Sequence, residues 1–304
     1  MPRRVLVTGA AGFIGSNLVE AVLAETDWTV VGIDNFSTGS PDNVAHLDGR
    51  GRLTLERADV AAIDDLSGYD TVFHLAALPR IQPSFDTPCE HLTANLTNSI
   101  HLLEVMMRRR QFPRLVYSSS SAIYGNPRTT PTTEDEPISC LNPYSFQKYE
   151  VEKYLELLTQ RHPLDYVALR YFNPYGPRSF NPANPFNAYS SVMGIFLHRH
   201  REGLPLLVTG DGSQQRDFVH VRDVARANIR AALVEGRLNT AYNVGYGETM
   251  SIIDLARRIS NRIEFVPERP GEARITHASI ERARAGLGWS PTIPVEQYLA
   301  GELG

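Results

Sequence analysis

Short apolar runs alternate with longer segments of helical periodicity along the first half of the chain. An apolar run at residues 5–7 stops at a glycine, and apolar residues then recur at spacings of three and four between Phe13 and Leu23. The further apolar runs cover residues 29–33, 53–55, 71–75 and 115–117, and helical patterns cover residues 92–110 and 143–158. Strands that alternate with helices pair in parallel, so the pattern predicts an α/β fold with a doubly wound parallel sheet.

The composition changes after Arg170. Residues 173–187 are rich in proline and asparagine, which suits a loop that covers a binding site. The later helix signals are a helical pattern at residues 189–202 and a capping box at Ser251 and Asp254 that opens a helix to about residue 260. We therefore predict two parts, the large sheet within residues 1–170 and a smaller α/β region over residues 171–304, with some chain crossing back to the sheet.

The first apolar run leads into a Gly-x-x-Gly-x-x-Gly turn, formed by Gly9, Gly12 and Gly15. In such a turn the glycines permit the tight bend, the approach of a pyrophosphate to backbone N–H groups, and close packing of the following helix on the strand. The second apolar run ends in Asp34, about 20 residues past the last glycine, where a carboxylate accepts hydrogen bonds from both ribose hydroxyls of an adenosine. The carboxylate would repel a 2′-phosphate, so the sequence predicts a Rossmann domain that binds NAD rather than NADP.

Tyr144 and Lys148 give the most specific chemical signal. They are four residues apart in a segment where Pro143 suits the first turn of a helix, so both side chains point to one face. We expect the ammonium group, together with a positive nicotinamide ring, to lower the pKa of the phenol from about 10 toward neutrality. Upstream, four serines follow the run at 115–117, and a hydroxyl there can bond the same oxygen that Tyr144 deprotonates.

Overall composition restricts the other possibilities. The chain has 304 residues with 30 Lys and Arg against 34 Asp and Glu, a net charge of −4 that does not favour nucleic acid or an anionic membrane as a partner. Two cysteines cannot form a disulfide framework, which indicates a reducing, cytoplasmic setting. No apolar run approaches the roughly 20 residues of a membrane span, and the nine histidines show no metal-ligand spacing, so we predict no metal site.

These motifs together resemble the extended short-chain dehydrogenase/reductase superfamily, specifically nucleotide-sugar 4-epimerases of the UDP-glucose 4-epimerase type. The resemblance covers nearly the whole chain. Its markers are residues 8–15, 34–39, 74–77 (His-Leu-Ala-Ala), 118–125 (Ser-Ser-Ser-Ser-Ala-Ile-Tyr-Gly), Tyr144-x-x-x-Lys148 and 170–174 (Arg-Tyr-Phe-Asn-Pro). Within the family pattern, Ser120 matches the catalytic hydroxyl, so Ser120, Tyr144 and Lys148 are the predicted catalytic residues.

The resemblance implies NAD as the cofactor. It implies that Asp59 and Val60 meet the adenine and that Asn95 and Tyr171 line the nicotinamide side. The full set of predicted cofactor-binding residues is Gly9, Gly12, Phe13, Ile14, Gly15, Asp34, Asn35, Asp59, Val60, Leu75, Ala76, Ala77, Asn95, Ser118, Tyr144, Lys148 and Tyr171. The resemblance also implies a homodimer, with helices near residues 92–110 and 144–161 packed as a four-helix interface.

The residues three and two positions before Tyr124 favour one reaction over the reactions of related enzymes. The similar 4,6-dehydratases need an acidic pair there, and the glucuronate decarboxylases need a glutamate, whereas this chain has Ser121 and Ala122. Neither side chain is a useful acid or base. The sequence therefore predicts NAD-dependent epimerisation at C4 of a UDP-hexose. The alternatives are a C2-epimerase, a reductase or a 4,6-dehydratase on the same scaffold, or a non-catalytic NAD-binding regulator.

Residues 171–304 are expected to bind most of the nucleotide sugar. By resemblance, Arg216 and Arg269 fall at diphosphate- and nucleotide-contact positions, and Arg suits phosphate because its planar fork binds it bidentately. Thr276 and the segment 184–192 resemble positions in epimerases that accept N-acetylated hexosamines as well as glucose and galactose. The predicted substrate-binding residues are Ser120, Tyr144, Asn173, Val192, Arg216, Arg269 and Glu272.

Overall fold

The central element of the structure, a computed structural model that describes residues 2–47, 51–180 and 191–304, is a seven-stranded parallel sheet. Its strands are β1 (Arg4–Thr8), β2 (Thr29–Asp34), β3 (Leu53–Arg57), β4 (Thr71–His74), β5 (Arg114–Ser120), β6 (Tyr166–Tyr171) and β9 (Thr240–Val244), in the order β3-β2-β1-β4-β5-β6-β9. The order reverses between β1 and β4, as in a doubly wound fold, which confirms the predicted fold class.

Helices cover both faces of this sheet. They are α1 (Phe13–Glu25), α2 (Asp42–Ala45), α3 (Ile81–Asp86), α4 (Pro88–Leu92), α5 (Asn98–Arg109), α6 (Pro143–Leu158), α7 (Val192–Arg201), α8 (Val221–Leu233), α9 (Ile252–Ile259), α10 (Glu281–Leu287) and α11 (Val295–Leu303). Successive residues of β1 point to opposite faces, so Val5 and Val7 pack with α1 and α8 while Leu6 packs with α5 and α6. None of the helices among the described residues is long and apolar enough to cross a membrane.

The C-terminal part builds two small sheets beside the large one. In one, β7 (Leu206–Thr209) pairs in parallel with β11 (Ile263–Val266), and in the other β8 (Gln215–Asp217) lies between β10 (Thr249–Ser251) and β12 (Ile275–Thr276). A separate apolar core from α7, α9 and α11 packs against them. The chain also crosses back to the large sheet, where β9 pairs with β6 and α8 packs on α1.

Three elements differ from the sequence prediction. The helix expected over residues 92–110 is interrupted by a π-helical turn, Thr93–Thr97, before α5. The helix expected from residue 189 begins only at Val192, because the Ser191 hydroxyl caps it by accepting from the Gly194 N–H at 3.0 Å. Strand β5 continues through the serines to Ser120. The rest of the expected lid segment, residues 181–187, lies outside the described residues, as do residues 188–190.

Candidate active site

A cavity of about 960 Å³ runs along the carboxyl edge of the large sheet and into the C-terminal part. This is where ligands bind in doubly wound folds, and the volume is at the upper end for small-molecule sites. Of the described side chains that line it, six are cationic and four are acidic, although the whole chain has a net charge of −4. The cavity therefore suits ligands that carry negative charge.

The glycine turn forms one end of this cavity. Gly9 has a φ of +71°, a conformation that favours glycine, and a Cβ on Gly15 would lie 1.9 Å from the Gly9 carbonyl oxygen. The middle glycine of the motif, Gly12, lines the cavity, and a Cβ there would meet only one atom within 4 Å, the Gly9 oxygen at 3.3 Å. No side chain caps the start of α1, so its N–H groups are free for a pyrophosphate. The turn fits the diphosphate of a dinucleotide.

Asp34 ends β2 beside the glycine turn. Its two carboxylate oxygens accept hydrogen bonds from the backbone N–H groups of Ala11 at 2.9 Å and of Phe36 at 2.7 Å. These bonds orient the carboxylate at the cavity wall, and burial raises its pKa. A carboxylate held in this way fits the ribose of NAD, and Asp34 stays the predicted contact of that ribose.

The predicted adenine side is built from a hydrogen-bonded cluster around Asp59. The Asp59 carboxylate accepts from the side-chain amides of Asn35 at 2.8 Å and Asn98 at 2.9 Å, and it caps a short 3₁₀ turn by accepting from the Ala61 N–H at 2.9 Å. Val60, which starts this turn, lines the cavity. The cluster fixes the wall next to the ribose site of Asp34.

The three predicted catalytic side chains meet at the end of β5. Ser120 is the last residue of the strand, Tyr144 lies in the first turn of α6, and Lys148 is one turn further along. The Ser120 hydroxyl stands close enough to the Tyr144 phenol to act on its pKa, and all three side chains line the cavity. Asn142 caps α6 by accepting from the Ser145 N–H at 2.8 Å, so the start of the helix that carries Tyr144 is fixed.

The electrostatics of this group differ from the expectation. Burial raises the pKa of Tyr144, and the groups that act against burial are the Ser120 hydroxyl and the Arg80 guanidinium. The expected lowering by Lys148 is wrong, because the Lys148 Nζ instead donates to the Ser118 carbonyl oxygen at 2.8 Å. Burial also lowers the pKa of Lys148 to about 7.

A buried ion pair supports the serine strand from behind. Glu152, on α6, accepts from the Arg170 guanidinium at 2.6 Å and from the Ser119 hydroxyl. Arg170 also donates to the Tyr124 hydroxyl at 2.7 Å, which in turn donates to the Asn243 side chain at 2.7 Å. This network joins β5, β6, β9 and α6, and so fixes Ser120 relative to Tyr144.

Asn95 is the one predicted cofactor residue that does not line the cavity. Its side chain is 1% exposed and bonds the Leu78 backbone N–H at 2.7 Å and the Gln147 side chain at 2.9 Å. It lies in the π-helical turn, where the wider spiral changes which side chains face inward, and its neighbours Ala94 and Asn98 reach the cavity instead. Asn95 thus holds the loop after β4 behind the wall.

The predicted substrate residues lie at the other end of the cavity. Arg216 is buried on β8, and its guanidinium is 3.5 Å from the Glu272 carboxylate, whereas Arg269 is exposed at the rim. Asn173 donates from its amide to the Asp217 carbonyl oxygen at 2.8 Å and to the Thr276 hydroxyl at 2.9 Å. The described residues among the substrate predictions that line the cavity are Ser120, Tyr144, Asn173, Val192, Arg216, Arg269 and Glu272, with Thr276 beside them.

Some lining residues were not predicted. Arg80 follows β4 in a loop, and Arg178, whose guanidinium is 2.6 Å from the Glu20 carboxylate, follows β6. Ser84 supports the site by accepting from the Tyr144 N–H at 3.2 Å. The available signal was position, since Arg80 comes directly after the small residues that end a strand at the carboxyl edge.

Known proteins share this arrangement. A model of the NAD dependent epimerase/dehydratase family matches residues 5–245. The UDP-glucose 4-epimerase from Mycolicibacterium smegmatis is 34% identical over 310 positions, covering 98% of this chain and 96% of that relative. The solved UDP-N-acetylglucosamine 4-epimerase from Methanobrevibacter ruminantium, in complex with UDP-N-acetylmuramic acid, has a TM-score of 0.89 and 33% identity, covering 98% and 96%. The UDP-glucuronic acid 4-epimerase from Bacillus cereus, in complex with UDP-glucuronic acid and NAD, has a TM-score of 0.89 and 30% identity, covering 98% and 97%.

The chain therefore belongs to the NAD-dependent epimerase/dehydratase family. Within that family its relatives and structural neighbours are UDP-sugar 4-epimerases of the extended short-chain dehydrogenase/reductase type, and NAD is the cofactor. The glycine turn and Asp34 are the residues of this chain that fit NAD.

Proposed function

We propose that this protein interconverts the C4 epimers of a UDP-hexose through a transient 4-keto sugar. The observation that carries the proposal is the meeting of Ser120, Tyr144 and Lys148 in one cavity with the glycine turn and Asp34. When bound, NAD⁺ supplies the hydride acceptor for C4 and, once reduced, the hydride for the opposite face of the 4-keto sugar. No net redox change results, so one cofactor molecule serves every turnover.

The side chains of the chain handle the proton and the charge. In this proposal the Tyr144 phenolate, which the nearby Ser120 hydroxyl and Arg80 guanidinium favour against burial, removes the proton from O4, and the Ser120 hydroxyl shares the charge on O4. Lys148, whose Nζ donates to the Ser118 carbonyl oxygen of the serine strand, would supply positive charge to the nicotinamide end of bound NAD. On the return step Tyr144 gives its proton back to O4. The 4-keto sugar rotates between the two steps, within a cavity of about 960 Å³.

The residues after Ser120 favour epimerisation over elimination of water. Ser121 lines the cavity at the start of a 3₁₀ turn, and the Ala122 N–H donates to the Ser120 hydroxyl oxygen at 3.2 Å. A 4,6-dehydratase needs acid–base groups where these two residues stand. A C2-epimerase, a reductase or a non-catalytic regulator remains the second candidate only if the catalytic groups prove inactive toward C4.

For the sugar, we propose UDP-glucose and UDP-galactose, with the N-acetylated forms as further substrates. The relatives support a UDP-sugar, since their names include UDP-glucose, UDP-N-acetylglucosamine and UDP-glucuronic acid. Thr276 at the cavity wall is small, which leaves space beside the sugar. Arg216 and Arg269 are the proposed contacts of the UDP diphosphate, and Glu272 holds Arg216 in place.

We also propose that the protein is a cytoplasmic homodimer. Phe146, Tyr154 and Leu157 are 51%, 44% and 56% exposed on α6, and they lie on one side of that helix. Exposed large apolar side chains grouped on one helix face are typical of an interface between subunits. The expected four-helix interface would cover this face.

A substrate panel tests the proposed function. The purified protein is incubated with UDP-glucose, UDP-galactose and their N-acetylated forms, and the C4 epimers are separated by chromatography. We expect exchange at C4 without accumulation of NADH. Steady NADH accumulation would instead indicate a dehydrogenase, and exchange at C2 alone would indicate a different epimerase.

A further inference from the structure

Residues 269–272, here called the strap, connect the C-terminal part of the chain to the catalytic end of the cavity. The strap lies between β11 and β12, and it contributes Arg269 and Glu272 to the cavity wall. The Glu272 carboxylate is 3.5 Å from the Arg216 guanidinium. The strap therefore contains one of the two cations proposed for the UDP diphosphate and contacts the other.

Helix α3 is in direct contact with the strap. The Gln82 side-chain amide donates to the Pro270 carbonyl oxygen at 2.8 Å. Helix α3 also contacts the first turn of α6, because the Tyr144 N–H donates to the Ser84 hydroxyl at 3.2 Å. The strap and the helix that carries Tyr144 thus share one support.

Asn142 joins the strap and the start of α6 directly. Its side chain, 7% exposed, caps the helix by accepting from the Ser145 N–H at 2.8 Å, and it donates to the Gly271 carbonyl oxygen at 3.0 Å. The contact is close, since a Cβ on Gly271 would lie 2.9 Å from the Phe85 ring of α3. Helix α3, the start of α6 and the strap therefore form a closed set of three contacts.

The helix itself needs only the side-chain oxygen of Asn142. A cap residue accepts a hydrogen bond from one backbone N–H, and serine does so about as well as asparagine. The amide N–H groups of asparagine take no part in capping. The donor that reaches Gly271 is therefore a second role of this side chain, and a substitution can separate it from the cap.

From these contacts we infer that Asn142 is a positioning residue that couples the diphosphate site to the start of the helix that carries Tyr144. The inference rests on the proposed function, in which Arg216 and Arg269 contact the UDP diphosphate. A bound diphosphate that fixes the strap also fixes the first turn of α6, because the strap is bonded to the cap of that helix. Since such coupling is reciprocal, an intact cap contact favours the strap position that binds UDP.

Binding of UDP tests the inference without any turnover. Calorimetry on the NAD-loaded protein measures the Kd of UDP for wild type, Asn142→Ser and Asn142→Ala. We expect Asn142→Ser, which keeps the cap and loses the amide, to weaken UDP about 3- to 10-fold with a Tm within about 2 °C of wild type. Asn142→Ala should weaken UDP as much and also lower Tm by about 2 to 4 °C, because the cap is lost as well.

Two further variants complete the binding series. Asn239→Ala is the matched control, because the Asn239 side chain accepts from the Tyr166 N–H at 3.0 Å at the amino end of β6, away from the cavity. It should lower Tm and leave the Kd of UDP unchanged. Gln82→Ala removes the other hydrogen bond to the strap, so it should weaken UDP by a factor similar to that of Asn142→Ser.

Hydrogen exchange measures the coupling itself. The N–H groups of Ser145 and Phe146 are bonded to the side chain and the backbone of Asn142. Saturating UDP should slow their exchange at least about 5-fold in wild type and less than about 2-fold in Asn142→Ser. A residue that served only as a helix cap would not change this response to UDP.

Two results would overturn the inference. An unchanged Kd of UDP in Asn142→Ser would mean that the amide does not support the diphosphate site. An equal effect of UDP on exchange in wild type and Asn142→Ser would mean that the strap and α6 are not coupled through this bond.

The proposed function is tested separately by turnover. Exchange at C4 by wild type, with an unchanged Kd of UDP in Asn142→Ser, would contradict the inference and leave the epimerase proposal standing. Weaker UDP binding and a lost exchange response in Asn142→Ser, with no conversion at C4 of any sugar by wild type, would support the inference and contradict the epimerase proposal.

Discussion

Lys148 is a buried amine whose charge is only weakly supported by the protein. It is 3% exposed, its Nζ donates to one carbonyl oxygen at 2.8 Å, and it lies 5.1 Å from the centre of the Tyr117 ring. With a pKa of about 7, it is only partly charged at neutral pH. If Lys148 has the proposed role, the site keeps this amine at some expense to the stability of the fold.

We expect Lys148→Met to be inactive and more stable. The variant should raise the free energy of unfolding at pH 7 by about 1 to 3 kcal/mol, because an apolar side chain replaces an amine whose burial is costly. An unfolded lysine titrates near 10.4, so between pH 7 and 10 the unfolded state binds more protons than the folded one. Wild-type stability therefore rises with pH over that window, and the advantage of the variant shrinks. Urea unfolding at several pH values measures both effects, and a variant less stable than wild type at pH 7 would contradict the interpretation.

In the proposed reaction the proton transfer depends on Tyr144. We expect Tyr144→Phe to lower the rate of C4 exchange by at least about 100-fold, because the hydroxyl that moves the proton is removed. Tyr154→Phe, on the same helix but 44% exposed, is the matched control and should leave the rate unchanged. Rates are measured by chromatography of the epimers at saturating UDP-sugar. An active Tyr144→Phe would rule out the proposed acid–base role.

Residue roles that depend on local spacing could be predicted from the sequence, and roles that depend on a loop could not. Tyr144 and Lys148 are one helical turn apart, so the pattern alone places both on one side of α6. Arg80 lines the cavity from a loop and has a φ of +97°, a conformation that no propensity for arginine indicates. Asn95 was assigned to the nicotinamide side by the family resemblance, and no sequence signal indicates the π-helical turn in which its side chain lies behind the cavity wall.

At the scale of elements, the contact between the glycine turn and α1 sets the cofactor end of the cavity. We expect Gly15→Ala to lower the free energy of unfolding by about 3 kcal/mol and to abolish NAD binding, because its Cβ would lie 1.9 Å from the Gly9 oxygen. Gly301→Ala in α11 is the control: nothing lies within 4 Å of its Cβ, and alanine should stabilise the helix by about 0.5 to 1 kcal/mol. Chemical denaturation and NAD titration measure the two effects, and equal stabilities for both variants would contradict the predicted clash.

The strand that carries the serines shows where element prediction fails. Serine is not a strand former, so the apolar run ended the predicted strand at residue 117. In the structure the pairing continues, with Ser118 opposite Leu169 and Ser120 opposite Tyr171. Tertiary pairing with β6 overrides the local preference, and the hydroxyl of Ser120, the proposed catalytic group, is consequently held by a sheet rather than by a loop.

At the scale of the whole molecule, the exposed side of α6 is the feature that a monomer does not explain. We expect Leu157→Glu to convert a homodimer to a monomer, because a charge would be placed on a residue that is 56% exposed in the single chain and buried in the proposed interface. Leu233→Glu, 42% exposed on α8 at the other side of the sheet, is the control. Sedimentation at micromolar protein measures the mass, and a monomeric wild type would contradict the proposed homodimer.

The two predicted parts of the chain are joined through the large sheet. Strand β9 comes from the C-terminal part but pairs with β6, and α8 packs on α1. We propose that the division at residue 170 separates binding roles, and that both parts fold as one unit.

This return of the chain to the sheet bears on any attempt to build chimeras between relatives. A single crossover near residue 170 would import a foreign sheet edge together with the foreign residues of the proposed nucleotide-sugar site. Any change in activity would then combine the effect of altered packing of α8 on α1 with the effect of altered ligand binding. Two separate grafts, one ending before α8 and one starting after β9, would transplant the nucleotide-sugar wall and leave the host scaffold intact.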